Sequence, residues 1–209
     1  MGVFDSEEVR AEMIARQWLE RYGVVTRDWW RRERPPISWR AIYHELRRLE
    51  YRGEIRRGYF VKGLGGAQFA MPHAVERLRG AATDSDPPFI VMAASDPANA
   101  YSLTLEHVDR DPLGRPRGSG ALLVTRAGRI IIAVEGRGRR LGFAADLTTA
   151  EATDAVRELV AHLSRGERTR RRRGIQVETI DGRPALTSPY IVALQAAGFR
   201  RETSGLRYL

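Results

Sequence analysis

The sequence predicts an α+β chain of two domains, and three observations carry that expectation. Residues 1–82 show three helical patterns and then two alternating apolar runs around a glycine cluster. Residues 83–88, "TDSDPP", are small, acidic and end in proline, the composition of a linker. Residues 89–209 mix strand-sized apolar runs with two further helical patterns. A chain of 209 residues, 43% of them hydrophobic, is long enough to bury a core in each part.

In the first part Val9, Met13, Ile14, Trp18 and Tyr22 recur at helical spacing from Ser6 onward, and Gly23 stops the run. Thr26 stands as an N-cap before a short second helix, "RDWWRRE", which Pro35-Pro36 closes. Ser38 caps a third helix, "WRAIYHELRRLEYR", and Gly53 ends it. "EIRRGYFV" and "AQFAM" read as two strands joined by a glycine loop, and Pro72 opens a fourth helix, "PHAVERLR". Three helices followed by a hairpin is the order of a winged helix, with Gly63, Gly65 and Gly66 in the wing.

In the second part "FIVMAA", "GALLVTRAG" and "RIIIAVEG" are strand signals, the last two joined at Ala127-Gly128. "LTTAEATDAVRELVAHLSRG" is an amphipathic helix with Ala152, Ala155, Val156, Leu159, Val160 and Leu163 on its apolar stripe. "IQVETIDGRPAL" predicts a hairpin turning at Asp181-Gly182. "SPYIVALQAAGF" predicts a short helix capped by Ser188 with Pro189 at its first position, and "LRYL" a last strand. Strands with two helices predict a mixed, curved, barrel-like sheet, and no fixed-period repeat is present.

The balance of charge narrows the partners. Lys+Arg 35 against Asp+Glu 26 gives a net +9, and every cation but Lys62 is arginine, the side chain that pairs phosphates bidentately and stacks on bases. Arginine-rich codon usage would produce the same composition. There is no cysteine, so disulfides, thiolate metal sites and a cysteine nucleophile are excluded. The opening "MGVFDSEEVRAEM" lacks a signal-peptide core and no apolar run is long enough to span a bilayer, so a soluble, cytoplasmic protein without a membrane partner is expected.

Candidate binding residues fall in three places. On the third helix Ile42, Leu46 and Leu49 share one face, while Arg40, His44, Arg47 and Tyr51 share the opposite one, which in a winged helix would enter a groove of DNA. A solvated or protein-docking face would carry the same pattern. Arg56, Arg57 and Lys62 on the hairpin would track a phosphate backbone, or simply protect a strand edge. Arg168, Arg170, Arg171, Arg172 and Arg173 form the densest cationic run, a phosphate tether or a solvated loop.

No catalytic or cofactor set stands out. The wing glycines lie between two strands and nothing matches G-x-x-x-x-G-K-[ST], so this chain is not expected to bind ATP by itself. His44, His73, His107 and His162 lack metal-ligand spacing. Asp96 and Asn99 around Pro97 fit a turn better than a water-activating site, and Gln68 fits an edge hydrogen-bonder better than a base reader.

"ERYGVVTRDWW", "RRGYFVKGLGGAQFAMPHAVERLR", "ASDPANAY" and "LTSPYIVALQAAGFR" through "GLRYL" together resemble the carboxyl-terminal region of Lhr-type, large helicase-related, superfamily 2 DNA helicases. The resemblance implies winged helices related to those of AlkZ-type DNA glycosylases and a β-barrel-like module, lying after two motor domains. It further implies a DNA-binding accessory part of an ATP-dependent helicase in DNA repair, acting on DNA or RNA–DNA hybrids with a motor in cis or in trans. ATP and Mg²⁺ would be bound by that motor, since no motor motif occurs here. The end, Arg207-Tyr208-Leu209, has no side-chain carboxylate, and Lys62 stands where many relatives are expected to carry an acid. A DNA glycosylase-like base-excision module and a winged-helix transcription regulator with a sensor domain are the alternatives.

Overall fold

The computed structural model describes residues 6–61, 64–97, 99–102, 120–165 and 174–208. The chain divides into two compact units between Ser85 and Asp86.

The first unit is built on side-chain caps. α1 (Glu7–Tyr22) starts where the Ser6 hydroxyl accepts the Val9 N–H at 3.3 Å. α2 (Arg27–Glu33) starts where Thr26 Oγ1 accepts from Asp28 at 3.1 Å, and α3 (Trp39–Tyr51) where Ser38 Oγ accepts from Ala41 at 3.2 Å. The buried face of α1 is Ala11, Ala15, Trp18 and Leu19, whereas Met13 of the expected stripe is 60% exposed. α1 packs on α3.

β1 (Val24–Val25) follows Gly23 at once and was not signalled by the sequence, being two residues long. It pairs antiparallel with β3 (Gln68–Ala70), which pairs on its other side with β2 (Arg56–Gly58), giving the order β1-β3-β2. β2 is shorter than the run from residue 54 to 61 suggested, and Tyr59, Phe60 and Val61 leave the ladder. α4 (Pro72–Thr83) then carries proline in its first turn. Trp18, Leu19, Ile42, Leu46, Leu49 and Phe69 form the centre of this core. Three helices and a three-stranded wing sheet make this unit a winged helix.

The second unit is α+β but not a barrel. β4 (Ile90–Ala93), β5 (Leu122–Arg126), β6 (Arg129–Glu135), β7 (Arg140–Phe143), β9 (Thr179–Ile180) and β10 (Arg183–Pro184) form one sheet in the order β10-β9-β7-β6-β5-β4. Among the described residues β4 and β10 remain edges, so the expected barrel-like closure is corrected to an open sheet. β10 ends in Pro184, which has no N–H to extend the ladder.

The predicted hairpin around Asp181-Gly182 is also divided. The Glu178 and Thr179 N–H groups both donate to the Arg139 carbonyl, at 2.8 and 3.1 Å, and this bend separates β8 (Ile175–Val177) from β9. β8 joins β12 (Gly205–Tyr208) and β11 (Arg200–Glu202) in a second sheet of order β11-β12-β8. α5 (Thr149–Arg165) lays Ala152, Ala155, Val156 and Leu159 into the core with Val124, Ile132 and Leu141. α6 (Ile191–Ala196) begins later than expected, because Ser188 Oγ accepts the Tyr190 N–H in a preceding turn.

Candidate nucleic-acid interface

The third helix separates its faces as its sequence requires. Ile42, Leu46 and Leu49 are fully buried, so the helix is fixed against α1 and cannot rotate. Arg40 and His44 are exposed on the other side, and Tyr51 is 78% exposed. Arg40 has no ion-pair partner among the described residues. Arg56, on β2, is likewise exposed and without a carboxylate partner among them.

Arg47 behaves differently. Its Nε lies 3.1 Å from Glu50 Oε2, its guanidinium sits 4.9 Å from the centre of the Tyr51 ring, and it bonds the Tyr51 hydroxyl. Hydrogen bonds to Tyr43 and then Tyr51 push its pKa further above the usual arginine value. The other oxygen of Glu50 holds Arg57 Nε at 3.2 Å. Two of the expected phosphate-binding arginines are therefore tied to one carboxylate that joins α3 to the wing sheet. The i,i+3 spacing of Arg47 and Glu50 was the available signal for half of this arrangement.

Glu45 is another acid, whose i,i+3 spacing to Arg48 was the available signal. Its side chain is 2% exposed, accepts two hydrogen bonds from Arg48 Nη1, at 2.9 and 3.1 Å, and lies 3.8 Å from His44 Nδ1.

Gln68 is not free to read a base. It is fully buried in β3 with its amide directed back at the wing. Asn99 is buried too, donating to the Ala94 carbonyl at 2.8 Å and accepting from Tyr101 N–H at 2.9 Å, which makes it a turn-builder. Lys62 and the run Arg168, Arg170, Arg171, Arg172 and Arg173 lie outside the described residues. His44, His73 and His162 sit on α3, α4 and α5, and among the described residues no group of acids and histidines could hold a metal ion. No described helix is long and apolar enough to cross a membrane.

Residues 5–88 match the family model described as the winged-helix domain of the large helicase-related protein. The chain is 36% identical over 214 residues to the "Lhr helicase/ probable uracil glycosylase" of Mycolicibacterium smegmatis, an alignment covering 95% of this chain and 14% of that protein. It is 29% identical over 207 residues to the "Lhr helicase/uracil glycosylase" of Escherichia coli, covering 97% of this chain and 13% of the relative. The chain thus spans about one seventh of the length of the relatives it matches. A winged helix matched by that domain, with likeness to two such proteins along nearly all of its length, identifies this chain as a carboxyl-terminal Lhr-type region.

Proposed function

We propose that this chain is the nucleic-acid-gripping part of an Lhr-type ATP-dependent DNA helicase working in DNA repair. The observation that carries this reading is the exposed pair Arg40 and Arg56, which no carboxylate neutralises among the described residues, on a helix and wing sheet of a Lhr-type winged helix. Arg40 and His44 contact phosphates and base edges, Tyr51 borders them, and Arg56 follows the backbone beside the wing. Arg47 and Arg57 act chiefly as positioning residues through Glu50. Lys62 and Arg168 with Arg170 to Arg173 add sequence-blind phosphate attraction. ATP and Mg²⁺ belong to motor domains that act with this chain in cis or in trans, in the cytoplasm, on DNA or RNA–DNA hybrids. Titration of labelled duplex, forked and single-stranded DNA with the purified chain tests it: binding that weakens as salt rises is expected, and no binding at low salt removes the reading.

A second reading is base excision, favoured by the words "uracil glycosylase" in both relatives' names. Incubation with a uracil-containing oligonucleotide, followed by alkaline cleavage at the abasic site, would reveal it. An intact strand after prolonged incubation would exclude it for the isolated chain.

A further inference from the structure

The winged-helix unit has a cleft of about 380 Å³ between the start of α2, the start of α3 and the wing. Arg27 and Arg31, four residues apart, stand on one wall with Asp28 between them; Trp39 and Tyr43, also four apart, stand on another; the backbone of Gly65 and Gly66 borders the rim. The glycine rim is open, since a Cβ at either position would meet nothing within 4 Å.

Trp39 differs from the other tryptophans in how its polar atom is used. Trp18 Nε1 donates to Glu33 at 3.1 Å, Trp29 Nε1 to the Val24 carbonyl at 2.9 Å and Trp30 Nε1 to the Ile37 carbonyl at 2.8 Å. The Trp39 indole N–H has no such partner among the described residues, although the ring is half-buried. Trp39 and Tyr43 pack one side of their rings against the core of the unit and leave the other side at the cleft, where an aromatic face with a solvent-accessible donor can meet a flat ligand. The rim is cationic: Arg27 has no ion pair among the described residues, and Arg31 pairs with Asp28 at 3.0 Å while remaining 61% exposed.

We propose that this cleft takes one unstacked base of a single-stranded stretch, with Arg27 and Arg31 on its phosphate, an inference that rests on the nucleic-acid reading above. The Trp39 and Tyr43 rings are 6.1 Å apart and inclined at 51°, so one flat base cannot lie on both. One ring supplies the stacking face and the other borders the base. A paired base inside a duplex is already stacked and cannot enter, so the cleft favours single strands over duplex.

The test compares a labelled single strand, a strand of equal charge built from abasic sugars, and a duplex, against the full chain and its variants. Wild type should prefer the strand with bases over the abasic strand by roughly 5- to 150-fold, the range of one stacked base. Trp39→Ala should lose that preference, Trp39→Phe should keep most of it, and neither should change duplex binding. Arg27→Ser with Arg31→Ser should weaken single-strand binding and leave the duplex alone; being exposed, this pair decides the matter if circular dichroism shows Trp39→Ala unfolded. Equal wild-type affinity for strands with and without bases, or variants that weaken duplex and single strand alike, would overturn the cleft while the broader reading stood. Absence of any binding by wild type at low salt would overturn both.

Discussion

Gln68 and Val61 exchange two hydrogen bonds inside the wing: the Val61 N–H donates to Gln68 Oε1 at 2.8 Å, and Gln68 Nε2 donates to the Val61 carbonyl at 2.9 Å. Oε1 also accepts from Phe60 at 2.8 Å, and Nε2 reaches the Leu64 carbonyl at 3.1 Å. One buried amide thus replaces the strand ladder that Phe60 and Val61 leave. Gln68→Leu keeps the bulk but strands these backbone groups, which should cost at least about 2 kcal/mol at 1–3 kcal/mol per buried unsatisfied group. Urea unfolding reads the loss, and amide exchange should accelerate at Phe60 and Val61 first. Unchanged protection at both amides would mean that the clamp does not hold the wing.

The contrast between Arg40 and Arg47 gives a second expectation. Arg40→Glu should weaken DNA binding and leave stability within about ±0.5 kcal/mol, because the side chain is exposed and has no ion-pair partner among the described residues. Arg47→Glu places a carboxylate beside Glu50 and releases Tyr51, so it should lower the unfolding midpoint as well as binding. If both variants kept wild-type affinity while folded, α3 would be a protein-docking face.

The sequence was most legible where one side chain decides a local structure. Thr26 and Ser38 cap the two helices they were expected to cap, Ser6 caps the helix whose pattern was read from it onward, and Ala127-Gly128 and Asp181-Gly182 turn with positive φ at both residues of each pair. It was least legible where pairing is remote. β1 is two valines whose strand character comes from Ala70 and Phe69 across the sheet, and β8 leaves its expected hairpin for β12 because of a carbonyl at Arg139, far back in the chain. The same limit applied at the interface. The wheel of α3 placed Arg40, His44, Arg47 and Tyr51 on one side, but only the fold brings Arg57 to Glu50. Trp39 and Tyr43 read as part of an amphipathic helix until α2 and the wing surround them.

The start of α5 provides a pH test. The Thr148 hydroxyl and N–H donate to Glu151 Oε2 at 2.8 and 3.1 Å, and the Glu151 N–H returns to Thr148 Oγ1 at 3.2 Å, a reciprocal cap. The bond from the Thr148 side chain, then that from its backbone, holds the Glu151 carboxyl below the usual glutamate value. A lowered folded-state value stabilises above the unfolded value and is lost as pH falls through the lowered one. Wild type should therefore exceed Glu151→Gln in stability near neutral pH, with the difference shrinking below about pH 4. Equal urea midpoints at neutral pH would rule out the charged cap.

Gly205 tests the pairing of the second sheet. Its φ is +153°, and a Cβ there would lie 2.1 Å from the Val177 carbonyl oxygen across the β8–β12 ladder. Gly205→Ala should cost at least about 2 kcal/mol through backbone strain and the forced separation of the two strands, read as a lower urea midpoint. A variant as stable as wild type would show that β12 does not lie against β8 at this register.

The most direct measurement of the nucleic-acid reading is the affinity of the purified chain for a labelled DNA fork across a series of salt concentrations, with Arg40→Glu measured alongside. Log affinity should fall linearly with log salt, and the variant should bind more weakly with a shallower slope, by up to about 0.9 for each duplex phosphate that Arg40 no longer neutralises. A wild-type affinity indifferent to salt, or an Arg40→Glu titration superimposed on that of wild type, would contradict a DNA-gripping role for this winged helix.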